Sequence, residues 1–341
     1  MKILHIAEPQ AFTKPFFKLV EKEFEPARHF ILSHTSVNEW PKNLSVKNNS
    51  STGFTWVMDF SRTAHCADKI IIHGLWDFYV IVLLFLQPWL LKKCYWMIWG
   101  GDLYDYKSDC RSWKWWLRNF LKRPVIKRIG HLITYVEGDV ELARNWYGAT
   151  GRYHECIMYT SNIYREYAIK SEPHGTINIQ IGNSADSSNN HFEILERLAP
   201  FRDQDIAIYA PLSYGSQEYS QSVINMGRDR FGDKFKPITD FMPFDQYLDF
   251  LGKIDIAIFN HKRQQAMGNI ITLLGLGKKV YMRSDITPWA MFKKKGVKIY
   301  DSSAIELSSI DERAMRYNRE AIRINFSEEI VIDQLKRIFE E

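Results

Sequence analysis

The chain has 341 residues, 45% of them hydrophobic, and carries a formal net charge of +5 at pH 7. This length exceeds what one hydrophobic core usually organises, so we expect two domains of about 150 residues each. The modest net charge and the lack of a recognition motif disfavour a nucleic-acid-binding protein. Four scattered cysteines exclude a disulfide scaffold and are expected to be reduced thiols.

The N-terminus reads as a β-strand over residues 3–7, followed by Glu8 and Pro9, and lacks the long apolar core of a signal peptide. We therefore expect a cytoplasmic protein. The longest apolar run, residues 78–91, includes Pro88 and falls short of the roughly 20 residues that cross a bilayer. It is expected to form a buried helix.

The N-terminal half alternates strand-like and helical stretches, which favours a parallel sheet with helices on both faces. The expected strands are 3–7, 70–73, 95–99, 132–136 and 157–159. Residues 38–55, rich in Asn, Ser and Lys, read as a loop or an irregular hairpin. The polar stretch 170–176 is the expected linker between the two domains.

After this linker the alternation starts again. The expected strands are 177–181, 206–210, 236–239, 254–259 and 279–282, and the helices include 245–251 and 269–276. Another helix starts near Asn190, where Glu193 completes a pattern that resembles a capping box. We expect two Rossmann-like doubly wound α/β domains, 1–169 and 176–320, and a segment 321–341 whose helix could pack back on the first.

Two strand-to-helix loops of the second domain have the composition of anion sites. Strand 177–181 ends at Gly182 and small polar residues follow, while the loop after strand 254–259 combines His261, Lys262 and Arg263 with Gly268. Glycine permits a tight turn, and a helix N-terminus offers unpaired N–H groups to phosphate. Either loop could also be a plain connection, and neither matches a Walker A or G-x-G-x-x-G motif.

In the first domain, residues 96–106 place two glycines before Asp102 at the expected edge of the sheet. Trp99 and Tyr104 offer flat apolar faces, which suit a sugar when a carboxylate is near. Asp102 could act as general base toward an acceptor hydroxyl, or it could cap a turn beside core aromatics. His73 could bind an acceptor or diphosphate oxygen, or be a structural histidine.

Positive charge is concentrated between residues 107 and 131, where eight Lys or Arg residues accompany one acid, Asp109. Five apolar residues recur there at helical spacing, which is typical of an interfacial helix on anionic lipid. A core-facing amphipathic helix with solvated charges is the alternative. The residues expected at the membrane are Arg111, Trp113, Lys114, Trp116, Arg118, Phe120 and Lys122.

Four strings occur in order between residues 95 and 290: Trp99-Gly-Gly-Asp-Leu-Tyr104, Gly182-Asn-Ser with Asp186 and Ser188-Asn189-x-His191, Phe244-Asp-x-Tyr-Leu248, and Arg263-Gln-Gln-x-x-Gly268. In this order they resemble the TDP-N-acetylfucosamine:lipid II N-acetylfucosaminyltransferases, also labelled 4-α-L-fucosyltransferases, of glycosyltransferase family 56. The resemblance implies a GT-B architecture, with two Rossmann-like domains facing each other across a cleft. It also implies a nucleotide-sugar donor held by the second domain and a lipid-linked saccharide presented to the first.

The residues expected to bind the donor are Gly182, Asn183, Ser184, Asp186, Asn189, Tyr214, Arg263, Gln264, Gly268 and Asn269. The residues expected at the acceptor are His73, Trp99, Gly101 and Tyr104. The expected catalytic base is Asp102, with Glu8 and Glu137 behind it. We expect no metal and no other cofactor, since no Asp-x-Asp stands at a strand end with a further ligand.

The resemblance implies a peripheral enzyme on the cytoplasmic face of the bacterial inner membrane. It would move a deoxyamino or fucose-like sugar from a donor such as TDP-4-acetamido-4,6-dideoxygalactose to an undecaprenyl-pyrophosphate-linked oligosaccharide. The expected partners are thus the nucleotide-diphosphate sugar, the lipid-linked saccharide and an anionic membrane surface, without nucleic acid. A non-hydrolysing nucleotide-sugar epimerase and a non-catalytic nucleotide-sugar or lipid-binding partner are the alternatives.

Overall fold

The computed structural model describes residues 1–34, 40–48, 54–107, 111–167 and 175–340. It divides into two compact units: unit 1 comprises Met1–Ile163 and Glu328–Glu341, and unit 2 comprises Tyr164–Ser327. Asp109, Cys110 and residues 170–174 of the expected linker lie outside the described residues.

Unit 1 contains a parallel sheet. Its strands are β1 (Ile3–Ile6), β2 (His29–Ser33), β3 (Ser45–Asn48), β4 (Lys69–His73), β5 (Cys94–Met97), β6 (His131–Thr134) and β7 (Arg152–Glu155). Their order across the sheet is β3-β2-β1-β4-β5-β6-β7, so the direction of winding reverses between β1 and β4. In doubly wound sheets, ligands bind beyond the carboxyl ends of the strands at such a switch point.

Helices cover both faces of this sheet. They are α1 (Thr13–Glu23), α2 (Phe54–Cys66), α3 (Phe78–Leu86), α4 (Gly101–Tyr104), α5 (Trp113–Arg128) and α6 (Glu137–Tyr147). On one face, α2, α3, α5 and α6 share a buried cluster with the inward side chains of the strands, among them Trp96 and Ile72. On the other face, the Phe16 and Phe17 rings of α1 lie edge-on against His5 of β1.

Unit 2 contains a second parallel sheet, formed by β8 (Ile177–Ile181), β9 (Ile206–Pro211), β10 (Phe235–Ile238), β11 (Ile256–Phe259), β12 (Lys279–Met282) and β13 (Tyr300–Asp301). The order β10-β9-β8-β11-β12-β13 repeats that of the first six strands of unit 1 and reverses between β8 and β11. Its helices are α7 (His191–Leu198), α8 (Gln217–Phe231), α9 (Phe244–Lys253), α10 (Met267–Gly275), α11 (Thr287–Lys294) and α12 (Glu312–Asn325).

The last helix, α13 (Glu328–Glu340), belongs to unit 1. The Lys69 ammonium donates to the carbonyl of Ile338 at 2.6 Å, and the N–H of Ile157 donates to Oε1 of Gln334 at 2.9 Å. The ring of Phe339 packs edge-on against His29, with centroids 4.8 Å apart. Unit 1 is therefore assembled from two separate stretches of the chain.

The α/β class with doubly wound parallel sheets is confirmed, but local predictions fail in three places. Residues 157–159 do not form a strand, because Met158 has a φ of 68° and the ladder runs through the polar β7 instead. The 38–55 segment contains β3 and the start of α2, and β2 before it was not predicted. Residues 78–91 are not one buried helix: α3 ends at Leu86, ahead of Pro88, whose ring nitrogen donates no hydrogen bond.

Candidate functional site

The loop after β8 is organised by the buried side chain of Asn189. Its Oδ1 accepts hydrogen bonds from the backbone N–H of Asn183 and from Nε2 of His261, both at 2.9 Å. Its Nδ2 donates to Oγ of Ser184 at 3.1 Å and to the carbonyl of Asp186 at 3.0 Å. Because all four bonding capacities are used inside the protein, Asn189 holds the loop, and these bonds argue against the predicted direct contact with the donor.

Gly182 is required for packing inside this loop. Its φ is +62°, and a Cβ at this position would lie 2.4 Å from Nε2 of His191 and 2.7 Å from Oδ1 of Asn189. The tight turn expected at this glycine therefore brings its backbone against neighbouring side chains of the protein.

The loops after β8 and β11 are bonded to each other. Nδ2 of Asn190 donates to the carbonyl of Asn260 at 2.9 Å, and Oγ of Ser188 donates to Oε1 of Gln265 at 2.8 Å. Asn190 has a left-handed φ of 52° and makes no side-chain cap on α7, so the predicted capping box with Glu193 is wrong. We call residues 182–190 and 260–266, joined by these bonds, the loop frame.

A cavity of about 280 Å³ opens beside the loop frame at the carboxyl edge of the unit 2 sheet, and we call it the unit 2 cavity. Residues that line it include Asn183, Tyr214, Phe241, Phe244 and Asn269. Nδ2 of Asn183 donates to the Tyr214 hydroxyl at 2.8 Å. The Phe241 and Phe244 rings are mostly exposed, at 83% and 62%. The cavity thus combines aromatic faces with amide groups.

The helix α10 begins at the same edge. Ala266, with a φ of 56°, precedes it, and no side chain of the described residues caps its first turn, which contains Gly268 and Asn269. Unpaired N–H groups and the positive end of the helix dipole favour an anion at such a terminus.

The loop before α10 does not present all three predicted basic side chains as cations, because its histidine is neutral. Burial, together with the charge of Arg263, lowers the pKa of His261 to about 3, so this ring is neutral at pH 7. Burial opposes ionisation of Asp186, but hydrogen bonds from Ser188 and the charge of Arg263 outweigh it, so the pKa of Asp186 lies below its usual range. Arg263 is half-buried and Lys262 is exposed.

Gln264 is buried, at 6% exposure, and its Oε1 has no hydrogen-bond partner among the described residues. A buried amide oxygen in this position can accept a hydrogen bond from a ligand hydroxyl.

In unit 1, Asp102 is fully buried. Its Oδ1 accepts from the N–H groups of Trp99 and Leu103, each at 3.0 Å, and its Oδ2 accepts from the N–H of Leu75 at 2.9 Å and from Nε1 of Trp96 at 2.7 Å. Burial raises the pKa of this carboxyl, and the N–H donors oppose the shift. These contacts match the alternative that the sequence left open, in which Asp102 caps a turn beside core aromatics, and they argue against a catalytic base because both oxygens are bonded inside the protein and neither reaches solvent.

Lys122 and Arg118 are also engaged inside unit 1. Lys122 is 1% exposed, and its ammonium donates to the carbonyl of Asp102 at 2.6 Å. The Arg118 guanidinium donates to both oxygens of Asp105 at 2.7 Å. The predicted membrane contact of Lys122 is therefore wrong, and Arg118 is held by an acid.

A second cavity, of about 440 Å³, lies at the switch point of the unit 1 sheet, and we call it the unit 1 cavity. Its lining includes Glu8, His34, His73, Asp77 and Trp99. Three of the residues predicted for catalysis or the acceptor, Glu8, His73 and Trp99, are thus brought together. The other four do not line it: Gly101 and the buried Asp102 are absent from its wall, Tyr104 donates to Asp139 at 3.2 Å, and Glu137 begins α6 at the surface.

His73 belongs to a buried chain of hydrogen bonds. Its Nε2 lies 3.1 Å from Nδ1 of His5, and Nε2 of His5 lies 2.9 Å from Nδ1 of His29. Its Nδ1 lies 2.9 Å from the hydroxyl of Tyr159, which accepts a hydrogen bond from Nε1 of Trp99 at 2.6 Å. Burial lowers the pKa of His73 to about 3 and that of His29 to about 4. The histidines are neutral at pH 7, and His73 is a structural residue at the cavity wall.

Sequence reasoning missed His34 and Asp77. Nε2 of His34 lies 2.7 Å from Oδ2 of Asp77. His34 directly follows β2, a strand that was not predicted, and Asp77 directly precedes α3. The position after a strand at the carboxyl edge was the signal that would have found His34.

The outer side of α5 is aromatic. Trp113 and Phe120 are each 71% exposed, while Trp115 packs inward. The neighbouring α3 packs on the same face of the sheet, and Tyr79 of that helix is 63% exposed. We call the exposed apolar residues of this region the aromatic face: Tyr79, Leu86, Trp89, Trp113, Trp116, Leu117 and Phe120.

Two further features bear on the site. No helix within the described residues is long and apolar enough to span a bilayer. In the same part of the chain, no group of three or more His, Cys, Asp or Glu residues is placed to hold a metal ion.

Several solved structures are similar over nearly the whole chain. Sucrose-phosphate synthase from Thermosynechococcus elongatus is 10% identical, with a TM-score of 0.72 over 100% of this chain and 98% of its own. HepE from Anabaena, solved with UDP and glucose, is 13% identical, with a TM-score of 0.65 over 100% and 99%. WaaG, a glycosyltransferase involved in lipopolysaccharide biosynthesis, is 8% identical, with a TM-score of 0.60 over 98% and 93%. The likeness confirms the GT-B fold.

The sequence comparison is more specific than the structural one. The model of the family described as 4-alpha-L-fucosyltransferase, glycosyl transferase group 56, matches residues 18–322, which is most of the chain. This match confirms the family that the four strings indicated.

Proposed function

This chain belongs to the glycosyltransferase group 56 family of 4-alpha-L-fucosyltransferases, and from that premise we propose that it transfers a deoxyamino or fucose-like sugar to an undecaprenyl-pyrophosphate-linked oligosaccharide. The donor is a nucleotide-diphosphate sugar of the TDP-4-acetamido-4,6-dideoxygalactose kind. The enzyme works at the cytoplasmic face of the bacterial inner membrane in surface polysaccharide synthesis. We assign the donor to unit 2 and the acceptor to unit 1.

The observation that carries the donor assignment is the pairing of the unit 2 cavity with the uncapped start of α10. The aromatic side chains Tyr214, Phe241 and Phe244 offer faces for a nucleobase. The first-turn N–H groups of α10 and the guanidinium of Arg263 suit the diphosphate. Oε1 of Gln264, which is buried without a partner among the described residues, is our candidate acceptor for a sugar hydroxyl. HepE, which has this fold, was solved with UDP-glucose.

The same groups would stabilise the diphosphate as it leaves the anomeric carbon. When the bond between the anomeric carbon and the diphosphate breaks, negative charge grows on the diphosphate oxygens. The N–H donors at the start of α10 and the guanidinium of Arg263 would stabilise that charge in the transition state. Arg263 and the α10 terminus therefore act on the leaving group.

A panel of TDP-, UDP- and GDP-linked sugars tested by thermal shift checks the donor assignment, since a ligand of the native state raises the melting temperature. We expect at least one nucleotide sugar to raise it. Arg263→Gln should weaken the binding of that ligand by about 10- to 100-fold, because a charge-assisted contact contributes roughly 1.5–3 kcal/mol. The exposed neighbour Lys262 provides the control, and Lys262→Gln should change affinity little. A panel without any response overturns the donor assignment.

The aromatic face supports binding to an anionic membrane. In residues 78–128 the acids are Asp102, which is buried, Asp105, which is paired with Arg118, and Asp109, which lies outside the described residues. Exposed aromatic residues beside basic ones are typical of interfacial attachment. The helix α3 begins directly after Asp77 of the unit 1 cavity, so one helix connects the cavity to this face.

Vesicle flotation tests the membrane assignment. The wild-type protein should float with phosphatidylglycerol-containing vesicles and less with pure phosphatidylcholine, and added salt should weaken the binding. The double variant Trp113→Glu/Phe120→Glu should lose most of it. Tyr317, on α12 of unit 2, is 59% exposed and gives a matched control. Equal binding by the double variant and Tyr317→Glu would rule out the aromatic face.

Transfer itself is measured with a labelled nucleotide sugar and polyprenyl-diphosphate-linked saccharides extracted from bacterial membranes. We expect the label to move into the organic phase. An epimerase would leave the label in water-soluble sugar without needing the extract, and a non-catalytic partner would leave the donor intact. Either of those two results contradicts the proposed transfer.

A further inference from the structure

We infer that His34 is the general base of the transfer reaction and that Asp77 holds it in the reactive tautomer. The inference rests on the proposed function, because it requires the acceptor saccharide to bind in the unit 1 cavity. His34 and Asp77 both line that cavity. No sequence motif pointed to either residue.

Hydrogen bonds and a stacking contact hold the His34 and Asp77 side chains in place. Nε2 of His34 lies 2.7 Å from Oδ2 of Asp77, and the other oxygen of Asp77 accepts from the N–H groups of Tyr79 and Val80 at 2.7 and 3.3 Å. The ring of His34 stacks on the buried ring of Trp56, with centroids 4.6 Å apart and an interplanar angle of 17°. The start of α3 thus positions the carboxylate, and the carboxylate positions the imidazole.

This arrangement sets the tautomer. A carboxylate only accepts hydrogen bonds, so the proton of neutral His34 sits on Nε2 and the lone pair sits on Nδ1. Within the described part of the chain, no group is hydrogen-bonded to Nδ1. The His34 side chain is 38% exposed, so this nitrogen is not sealed in the core. A lone pair at the wall of a cavity is what a base for an incoming hydroxyl needs.

The step balances as a single displacement. Nδ1 of His34 takes the proton of the acceptor hydroxyl, and the acceptor oxygen forms a bond to the anomeric carbon. The bond from that carbon to the nucleoside diphosphate breaks, and its electron pair leaves on the diphosphate. Asp77 stabilises the imidazolium that forms, and the exposed ring returns the proton to solvent.

Glu8 is the competing base in the same cavity, and its contacts argue for a positioning role. One oxygen accepts from Oγ of Ser33 at 3.0 Å and the other from the backbone N–H of His34 at 2.7 Å. Glu8 therefore fixes the backbone that carries His34. Among the described residues, the charged groups beside the His34 ring are Asp77 and Glu8, and His73 in the cavity wall is neutral at pH 7.

Four proteins decide the assignment: wild type, His34→Gln, Glu8→Gln and Asp77→Asn. Each is assayed with the nucleotide sugar that raises the melting temperature and with the polyprenyl-diphosphate-linked saccharide extract. We expect His34→Gln to lower kcat by about 10²–10⁴-fold, the usual effect of losing a general base. The wild type should show a fall in kcat/KM on the acid side, and His34→Gln should lack it. Donor binding, measured by thermal shift, should stay unchanged.

Asp77→Asn separates orientation from folding. Asparagine caps a helix about as well as aspartate, so α3 should stay formed and the melting temperature should change little. Its amide presents an N–H where the carboxylate accepted, which disfavours the reactive tautomer, and kcat should fall by about 10-fold or more. Glu8→Gln should lower kcat less than His34→Gln does, because it only loosens the backbone that carries the base, and it should keep the acid limb of the pH profile.

The outcomes are distinct. If His34→Gln transfers within about threefold of wild type, or if Glu8→Gln rather than His34→Gln loses the acid limb, the assignment to His34 is overturned while the proposed function stands. If the wild type transfers nothing from any nucleotide sugar of the panel, the proposed function itself fails.

Discussion

The two sheets share one strand order through six strands, yet their carboxyl edges differ in kind. In unit 2 the edge carries the loop frame, in which Asn189 and neutral His261 are buried and bonded to each other, with the smaller unit 2 cavity beside it. In unit 1 the edge is a cavity whose wall carries the ionisable His34 and Asp77 beside aromatic rings. Strand order decides where a site lies, and loop chemistry decides what the site can do. A rigid polar frame suits a charged donor, whereas an open cavity with a base suits an acceptor.

The largest expected effect tests the rigidity of the two edges with matched glycines. Gly182→Ala holds an alanine in a left-handed conformation and brings its Cβ within 2.4 and 2.7 Å of the His191 and Asn189 side chains. We expect the free energy of unfolding to fall by about 3–5 kcal/mol. At Gly74, with a φ of +78°, a Cβ would meet the Trp99 and Trp76 rings at 2.8 and 2.9 Å. Trp76 is 43% exposed and can rotate away, whereas Trp99 is held by Tyr159 and must shift, so Gly74→Ala should cost about 2–3 kcal/mol.

Urea unfolding of both glycine variants measures these costs from the transition midpoints. Donor binding by thermal shift gives a second readout, which Gly182→Ala should weaken and Gly74→Ala should leave alone. Equal losses of stability in the two variants would remove the contrast between a packed frame and an open cavity.

Asp102→Asn gives the next largest effect and sharpens the account of unit 1. One amide N–H of the new side chain would face backbone or indole donors, so we expect the free energy of unfolding to fall by about 2–3 kcal/mol. Because Asp102 is buried behind the cavity, kcat of the folded enzyme should stay within about threefold of wild type, far from the 10²–10⁴-fold loss of a missing base. A kcat loss of that larger size with unchanged stability would return Asp102 to catalysis.

The pH dependence of stability tests the neutral histidines of both edges. The folded-state pKa values of His73 and His261 are about 3, so these rings bind protons on unfolding when the pH lies below about 6.5, the usual histidine value. The unfolded state then holds more protons, and stability present above that pH is lost as the pH falls toward 3. The slope should reach about 1.4 kcal/mol per pH unit for each histidine.

Urea unfolding at pH 7, 6 and 5 measures this slope in wild type, His73→Gln and His261→Gln. Each variant should lower the slope by up to about 1.4 kcal/mol per pH unit. His73→Gln acts through unit 1 and His261→Gln through unit 2. An unchanged slope in either variant would show that its histidine is already charged in the folded state.

The smallest expected effect concerns the unit 2 cavity. Tyr214→Phe removes the hydroxyl that accepts from Nδ2 of Asn183 at 2.8 Å but keeps the ring. We expect a change of about 0.5–1.5 kcal/mol in stability and a few-fold loss of donor affinity. Calorimetric titration with the nucleotide sugar found in the thermal-shift panel measures the affinity. A loss beyond about 100-fold would mean that the hydroxyl itself contacts the donor.

The places of the sites could be predicted from sequence, because buried strands read as continuous apolar runs and end at glycines or polar residues. Gly182 and Glu8 stand at such ends. The roles of particular residues depended on partners far along the chain. Asn189 is hydrogen-bonded to His261, 72 residues away, and the neighbouring sequence does not reveal that contact.

The failures in unit 1 have the same cause. The sequence left Asp102 as either a general base or the cap of a turn, and its donors include the backbone of Leu75, 27 residues earlier. Lys122 reads as part of a basic helix surface, yet α5 turns it inward onto the carbonyl of Asp102. His34 was missed because β2 precedes a polar segment that hid the strand, and its partner Asp77 lies 43 residues away.

The position of α13 bears on how the protein is made. Unit 2 is one continuous stretch of chain, whereas unit 1 needs Phe339 and its neighbours, which follow unit 2 in sequence. On the ribosome, where chains emerge from the N-terminus, the first half of the protein must wait with the His29 side of its sheet uncovered until the second half has been translated. The unit that begins synthesis first is therefore the one that completes its folding last.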